Sequence, residues 1–177
     1  TCRFMPAFQA AKKLYDDGDL GRPLFAEAHY VHDMRPVLDR TPWRYEVPQD
    51  VLYGGPCHPI DLLCWFLGGV AEVFVYASCS GMDERYPADK PDNFLINLRF
   101  QSGVIARVLA VFGLVEPPLP MLGLGIYGNK GSMINEKVVL DKLEGQPTLE
   151  LKFPREAGHG REVWRYMRHF EECILAD

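Results

Sequence analysis

One histidine stands where this chain could move a proton. His58 follows Gly54-Gly55-Pro56-Cys57 and precedes Pro59-Ile60-Asp61; Leu63, Phe66 and Leu67 come behind it at helical spacing, and Gly68-Gly69 follow. Proline suits the first helical position, where its missing N–H would have been an orphan, so a helix is predicted to open at Pro59. Gly54-Gly55 predict a loop able to take positive φ and approach a neighbour closely, and Gly68-Gly69 predict a left-handed stop. His58 is thereby expected at the N-terminal mouth of a short buried helix. The positive helix end disfavours imidazolium and leaves a neutral ring that accepts a proton near neutral pH. Asp61 falls in the predicted first turn, where a carboxylate caps backbone N–H groups; the alternative is that it partners the histidine. His58 too has a plainer reading, as a residue that only satisfies the helix start.

Upstream, Trp43 and Arg44 form a second group, with Arg35 a weaker candidate of the same kind. An indole face stacks on the C–H groups of a sugar ring, and a guanidinium donates fixed hydrogen bonds to hydroxyls or a carboxylate. The same residues also read as a core tryptophan beside a surface arginine. His29 and His32 invite a metal, but residues three apart on a strand point to opposite faces and no third ligand stands at suitable spacing, so no metal site is expected.

The elements that must position these groups follow from periodicity and breakers. Residues 6–17 read as a helix beginning at Pro6 and ended by Gly18 and Gly21. Residues 24–32 read as a strand, and 33–52, rich in proline and without a clean period, as a long loop. Strands are predicted over 73–80, 93–100 and 104–112, the last two joined by a hairpin at Gln101-Ser102-Gly103. The strand over 104–112 is apolar on both sides except for Arg107, a pattern that calls for cover on both faces. Two further strands meet at Asn129-Lys130-Gly131, residues 148–153 close the sheet, and residues 161–176 form a helix with Val163, Met167, Phe170 and Ile174 in one stripe. The fold class is α+β, a large, mostly antiparallel, open-faced sheet with helices on one face. Gly123 to Gly128 match G-x-G-x-x-G, yet a turn and a β-prone run follow where a dinucleotide fingerprint needs a helix, so this run is read as a hairpin.

Several stretches, in order, resemble one family. GGPCHPIDLLCWFLGG at 54–69 is similar to a signature of the Gfo/Idh/MocA oxidoreductases. RFMPAFQAAKKLYDDGDLGRPLFAEAHY at 3–30, WRYE at 43–46, IYGNKGSM at 126–133 and YMRHFEECIL at 166–175 fit the same family's C-terminal domain in order and spacing. The resemblance implies that residues 1–177 are a single C-terminal substrate-binding and dimerisation domain, a fragment whose nucleotide-binding Rossmann domain lies upstream. It implies NAD or NADP as cofactor, bound mainly by that other domain, and a sugar, polyol or related small molecule as substrate. His58 would be the catalytic acid–base, Trp43, Arg44, Arg35, Gly55 and Asp61 would contact substrate, and the catalytic lysine would come from the other domain. This chain by itself is then expected to be inactive. Many members carry an aspartate four residues before the histidine; here that position is Gly54. The departure keeps a second reading open, a non-catalytic ligand sensor or scaffold on the same fold.

Composition sets the remaining bounds. The 177 residues, 47% hydrophobic and 24% charged, suit one globular domain with a proper core. A net charge of −5 without a basic stripe argues against a nucleic-acid partner. Five cysteines, an odd number without a C-x-x-C pair, suggest reduced thiols and a cytoplasmic setting. No apolar run reaches membrane-spanning length. The doubly apolar strand predicts a homo-oligomer built through the sheet face.

Overall fold

The computed structural model describes residues 1–46, 50–115, 117–154 and 161–176. Eight strands share one sheet in the order β2-β3-β4-β1-β5-β6-β7-β8. The chain separates into two compact units, Pro23–Tyr127 and the combination of Thr1–Arg22 with Gly128–Asp177.

The larger unit holds β1 (Pro23–Val31), three short helices α2 (Arg35–Arg40), α3 (Trp43–Glu46) and α4 (Val51–Gly54), the helix α5 (Cys57–Leu67), and strands β2 (Val70–Ser78), β3 (Asn93–Phe100), β4 (Ile105–Val111) and β5 (Leu122–Gly128). β2, β3 and β4 pair antiparallel, whereas β1 pairs with β4 in parallel. The register builds rows across the sheet. Ala26, Ala106, Leu98 and Val73 form one, and Ala28, Val108, Ile96 and Val75 the next. Small residues on β1 and β4 leave room for α5, which packs on those two strands and buries Leu62, Leu63, Phe66 and Leu67. The opposite face alternates in step and stays open. Ile105 is 51% exposed and Leu109 43%, where the sequence called for cover on both sides of this strand. Within this chain, α5 supplies cover to one face only, and the cross-strand alternation of β4 puts Ala106, Val108 and Ala110 inside and Ile105, Arg107 and Leu109 outside.

The stretch expected as one long loop is instead three short helices, though residues 47–49 lie outside the described ones. Each helix is too brief to show an apolar period. Proline sits in the first turn of α2, and Asp50 caps α4 by accepting the Leu52 N–H at 2.8 Å. α5 also starts two residues earlier than predicted, at Cys57, with Pro56 rather than His58 at its cap. Its end is as expected: Gly68 takes φ 87° and returns its N–H to the Cys64 carbonyl.

The smaller unit contains α1 (Pro6–Asp16), β6 (Gly131–Ile134), β7 (Lys137–Leu140), β8 (Leu149–Glu150) and α6 (Arg161–Leu175). β7 was not anticipated. The β6–β7 hairpin turns at Asn135, which holds φ 52°, a conformation asparagine tolerates better than most residues. The strand expected over 148–153 shrinks to the two residues of β8. α6 carries the predicted stripe, with Val163 45%, Met167 49%, Phe170 52% and Ile174 60% exposed.

The glycine run at 123–128 is β5, and a two-residue turn leads directly into β6 without a helix. Its glycines have local reasons. A Cβ at Gly123 would lie 2.1 Å from the His29 ring, one at Gly125 would lie 3.1 Å from Glu27 Cγ, and one at Gly128 would lie 2.0 Å from the Leu20 carbonyl oxygen.

Candidate functional site

Parallel pairing of β1 with β4 brings two strand ends to one place, and the chain after each of them closes over it. Tyr30 follows Ala26 and Ala28 along one face of β1, in the row of Ala110 and Phe94. Its ring lies 5.8 Å from that of His58 and 5.8 Å from that of Phe112, centroid to centroid. Gly55 is buried beside the same aromatic pair, and a Cβ there would come within 2.5 Å of Phe112 and 3.1 Å of Tyr30. That close approach is what the glycine provides; its φ is −128°, so the positive φ expected of the loop is not used. Gly54, the last residue of α4, likewise lies outside the left-handed region, and a Cβ there would meet open space.

His58 sits in the first turn of α5, half-buried, with its N–H donated to the Gly55 carbonyl at 3.0 Å. It thus keeps the helix-start position that the sequence suggested, one residue inside the helix rather than before it. Asp61 moves with that shift: it is the fifth residue of α5, beyond the first turn, and is not a cap. Next to His58, the Cys57 thiol donates to the Tyr53 carbonyl at 3.0 Å, and partial burial pushes its pKa up.

Beside Tyr30 opens a cavity of about 110 Å³. Its polar lining comes from Tyr30, His32, Arg44, Asp50 and Tyr86, set against apolar side chains of α2 and Phe112. Tyr86 arrives from the 79–92 loop, where its oxygen accepts the Val51 N–H at 3.4 Å and burial raises its pKa. Buried Asp92 anchors the root of that loop, accepting from the Ser80 N–H at 2.8 Å, from the Ser80 hydroxyl and from Asn93 Nδ2 at 2.9 Å. An exposed ion pair, Arg85 to Asp39 at 2.8 Å, links the loop to α2.

Of the residues singled out from sequence, Arg44 lines this cavity, and its guanidinium lies 4.5 Å from the centre of the Trp43 ring. Trp43 itself is 49% exposed, so it is not a core tryptophan. Arg35 is held at the surface by a two-pronged contact with Asp33, Nε to Oδ1 at 2.9 Å and Nη2 to Oδ2 at 2.8 Å, which keeps the Asp33 carboxyl below its ordinary range. Neither Arg35, Gly55, Asp61 nor His58 is in the cavity wall; Tyr30 is the residue that touches both His58 and that wall. Tyr30, Asp50 and Tyr86 were missed. Asp50 before an apolar pair is a legible cap, but nothing local marks Tyr86, which arrives through a loop 35 residues away from its partner Val51.

His29 and His32 part company as strand geometry requires. His29 Nε2 donates to the Pro120 carbonyl at 2.9 Å, while His32 enters the cavity wall. Among the described residues no group of three or more metal-ligating side chains converges. Nor do the described residues suit a dinucleotide, because the glycine run opens no helix whose N-terminus could face a pyrophosphate.

The open sheet face carries one polar row. Arg107 donates to Glu27 Oε2 from Nε at 2.9 Å and from Nη2 at 2.8 Å, and the Tyr127 hydroxyl donates to Glu27 Oε1 at 2.6 Å. Burial works to raise the Glu27 pKa, but the bonds from Tyr127 and Arg107 outweigh it and leave it lowered. The bond to Glu27, more than burial, pushes Tyr127 up to about 12.

Comparisons with known proteins agree with this architecture. An oxidoreductase from Agrobacterium radiobacter, solved with NAD+, L-tartaric acid and magnesium, superimposes with a TM-score of 0.76 at 16% identity, over 98% of this chain and 53% of its own. Levoglucosan dehydrogenase in complex with NADH and levoglucosan matches with a TM-score of 0.69 at 21% identity, over 91% of this chain and 51% of its own. UDP-N-acetylglucosamine 3-dehydrogenase from Acidithiobacillus ferrooxidans gives a TM-score of 0.72 at 17% identity, over 99% of this chain and 51% of its own. This chain therefore spans about half the length of these structures. No curated protein sequence matches it significantly. The sequence profile of the GFO/IDH/MocA C-terminal domain matches residues 8–134, more than half of the 177. The α+β fold, the histidine at the start of α5 and this match agree: the chain belongs to the GFO/IDH/MocA C-terminal domain family.

Proposed function

We propose that this chain is the substrate-binding half of an NAD(P)-dependent oxidoreductase acting on a sugar, polyol or related small molecule, with His58 as its general acid–base. The observation that carries this reading is the position of His58, in the first turn of α5 and against Tyr30, which also lines a cavity at the β1 and β4 strand ends. In the oxidising direction an imidazole nitrogen of His58 takes the hydroxyl proton as the substrate carbon gives up its hydride; in reduction the same nitrogen returns it. When bound, the dinucleotide supplies hydride exchange, and the residues that hold it belong to a Rossmann domain outside this chain, as does the catalytic lysine. Arg44, stiffened by Trp43, donates to the substrate, Arg35 stands at the outer surface, and Gly55 and Asp61 shape the ground beneath His58. The whole of residues 1–177 serves as one C-terminal half in a cytoplasmic enzyme that pairs copies through its open sheet face. In support, no helix among the described residues is long and apolar enough to cross a membrane, and none of the five cysteines is in a disulfide.

The test is His58→Asn in the complete protein. His58 lies half-buried inside the first turn of α5 and is not its cap, so asparagine there should leave the melting temperature close to that of the parent. Turnover with NAD+ or NADP+ should fall by about 10² to 10⁴, the usual contribution of general acid–base catalysis. Unchanged turnover would end the assignment. A second reading, a ligand sensor without turnover, draws on Gly54, which puts no carboxylate near the histidine. Ligand binding by a protein that reduces no cofactor with any substrate would favour it.

A further inference from the structure

The cavity beside Tyr30 has a charge balance that bears on its occupant. Among the described residues, one guanidinium, Arg44, and one carboxylate, Asp50, share its wall with the imidazole of His32 and the phenols of Tyr30 and Tyr86. Asp50 already accepts one bond, from the Leu52 N–H at 2.8 Å. A carboxylate offers about four acceptor sites, so this bond leaves it capacity to accept a ligand hydroxyl.

Two kinds of ligand end can be weighed against this wall. An acidic end that pairs with Arg44 has to share the cavity with the Asp50 carboxylate, and like charges held close together in a partly buried site repel. A hydroxyl meets no such conflict, because it both donates and accepts. Two neighbouring hydroxyls can give one proton to Asp50 and take one bond from Arg44.

We propose that Asp50 and Arg44 form the specificity pair of this site, accepting an uncharged, hydroxylated end of the substrate and rejecting an acidic one. This rests on the chain being the substrate-binding half of a dehydrogenase. The pair acts on which molecule is held, whereas His58 acts on the proton.

The experiment uses the complete protein and a panel of neutral aldoses and alditols set against their aldonates and uronates. Two quantities are read for each compound: the shift in melting temperature on binding, and turnover with NAD+ or NADP+. The wild type should bind and turn over neutral members in preference to the acids. Asp50→Asn keeps the cap of α4, since asparagine caps as well as aspartate, and removes only the charge. It should raise the acid-to-neutral ratio of kcat/KM by roughly tenfold or more, in keeping with a like-charge contact in a partly solvated site. Arg44→Gln should weaken neutral members without that inversion. Acids bound as well as neutral compounds by the wild type, an unchanged ratio in Asp50→Asn, or no binding by any member would each overturn the proposal. Binding of neutral members with no turnover would leave the pair standing and sink the dehydrogenase reading, and turnover without charge preference would do the reverse.

Discussion

At the residue scale, Gly54 and Gly55 look equivalent in sequence and are not equivalent in the fold. Gly55 is pressed against Phe112, itself 1% exposed and unable to withdraw. Gly55→Ala should therefore destabilise by about 1–3 kcal/mol, as overpacking of a filled core does. For a protein of this size that corresponds to a melting temperature lower by roughly 2–4 °C per kcal/mol. Gly54→Asp meets open space and needs no left-handed backbone. Its stability should stay within about 0.5 kcal/mol of the parent, like other surface changes. Paired thermal melts decide the matter; equal losses in both variants would refute this account of the loop. Because Gly54 also lines the cavity, Gly54→Asp adds a second carboxylate to the wall that holds Asp50, so turnover toward polyols is read together with substrate affinity.

At the element scale, β1, β4 and β5 are tied on the open face by Glu27, which two donors hold ionised. The direction of each shift fixes its effect on stability. The lowered Glu27 pKa contributes stability that is present above its unfolded value and lost as pH falls below it. The raised Tyr127 pKa contributes stability that is complete below the unfolded value of about 10 and lost as pH rises through about 12. Ultraviolet titration should show Tyr127 ionising late, alongside Tyr15 and Tyr86, whose pKa values burial also raises, and Tyr127→Phe should remove one ionisation from that late set. The same substitution should destabilise by about 0.5–1.5 kcal/mol, the usual net contribution of one hydrogen bond. A late ionisation unchanged in amplitude by Tyr127→Phe would mean that Glu27 does not hold this hydroxyl.

At the scale of the whole molecule, the open face of the sheet leaves large apolar side chains exposed. Phe74 and Tyr76, 56% and 64% exposed, lie edge to face at 4.8 Å on β2, in the same rows as the Glu27 and His29 positions. Exposed apolar patches rimmed by polar groups mark association sites. Light scattering of the complete protein at micromolar concentration should show a dimer or higher multiple, and Leu109→Arg should shift it toward the monomer with the melting profile of a folded chain. A parent protein that is monomeric throughout would remove the sheet-face assembly from the proposed function.

Local chemistry was enough to place much of this chain. Alternation over 93–100 and the hairpin at Gln101-Ser102-Gly103, the glycine stop after α5, and the strand-and-turn reading of Gly123 to Gly131 all rest on interactions between residues close in sequence, so the sequence alone determined them. The histidine at a helix start was legible for the same reason, although the cap fell two residues earlier because Pro56 supports the turn as well as Pro59. Short helices α2, α3 and α4 were not legible, since four to six residues show no period and their ends are set by what they pack on. Tertiary structure alone decided the cavity wall. The parallel register of β1 against β4 sets Tyr30 and Phe112 side by side, and the buried Asp92 anchor carries Tyr86 to the Val51 N–H. Those contacts join residues 35 or more positions apart, a separation across which neither propensity nor spacing carries information about which side chains will meet.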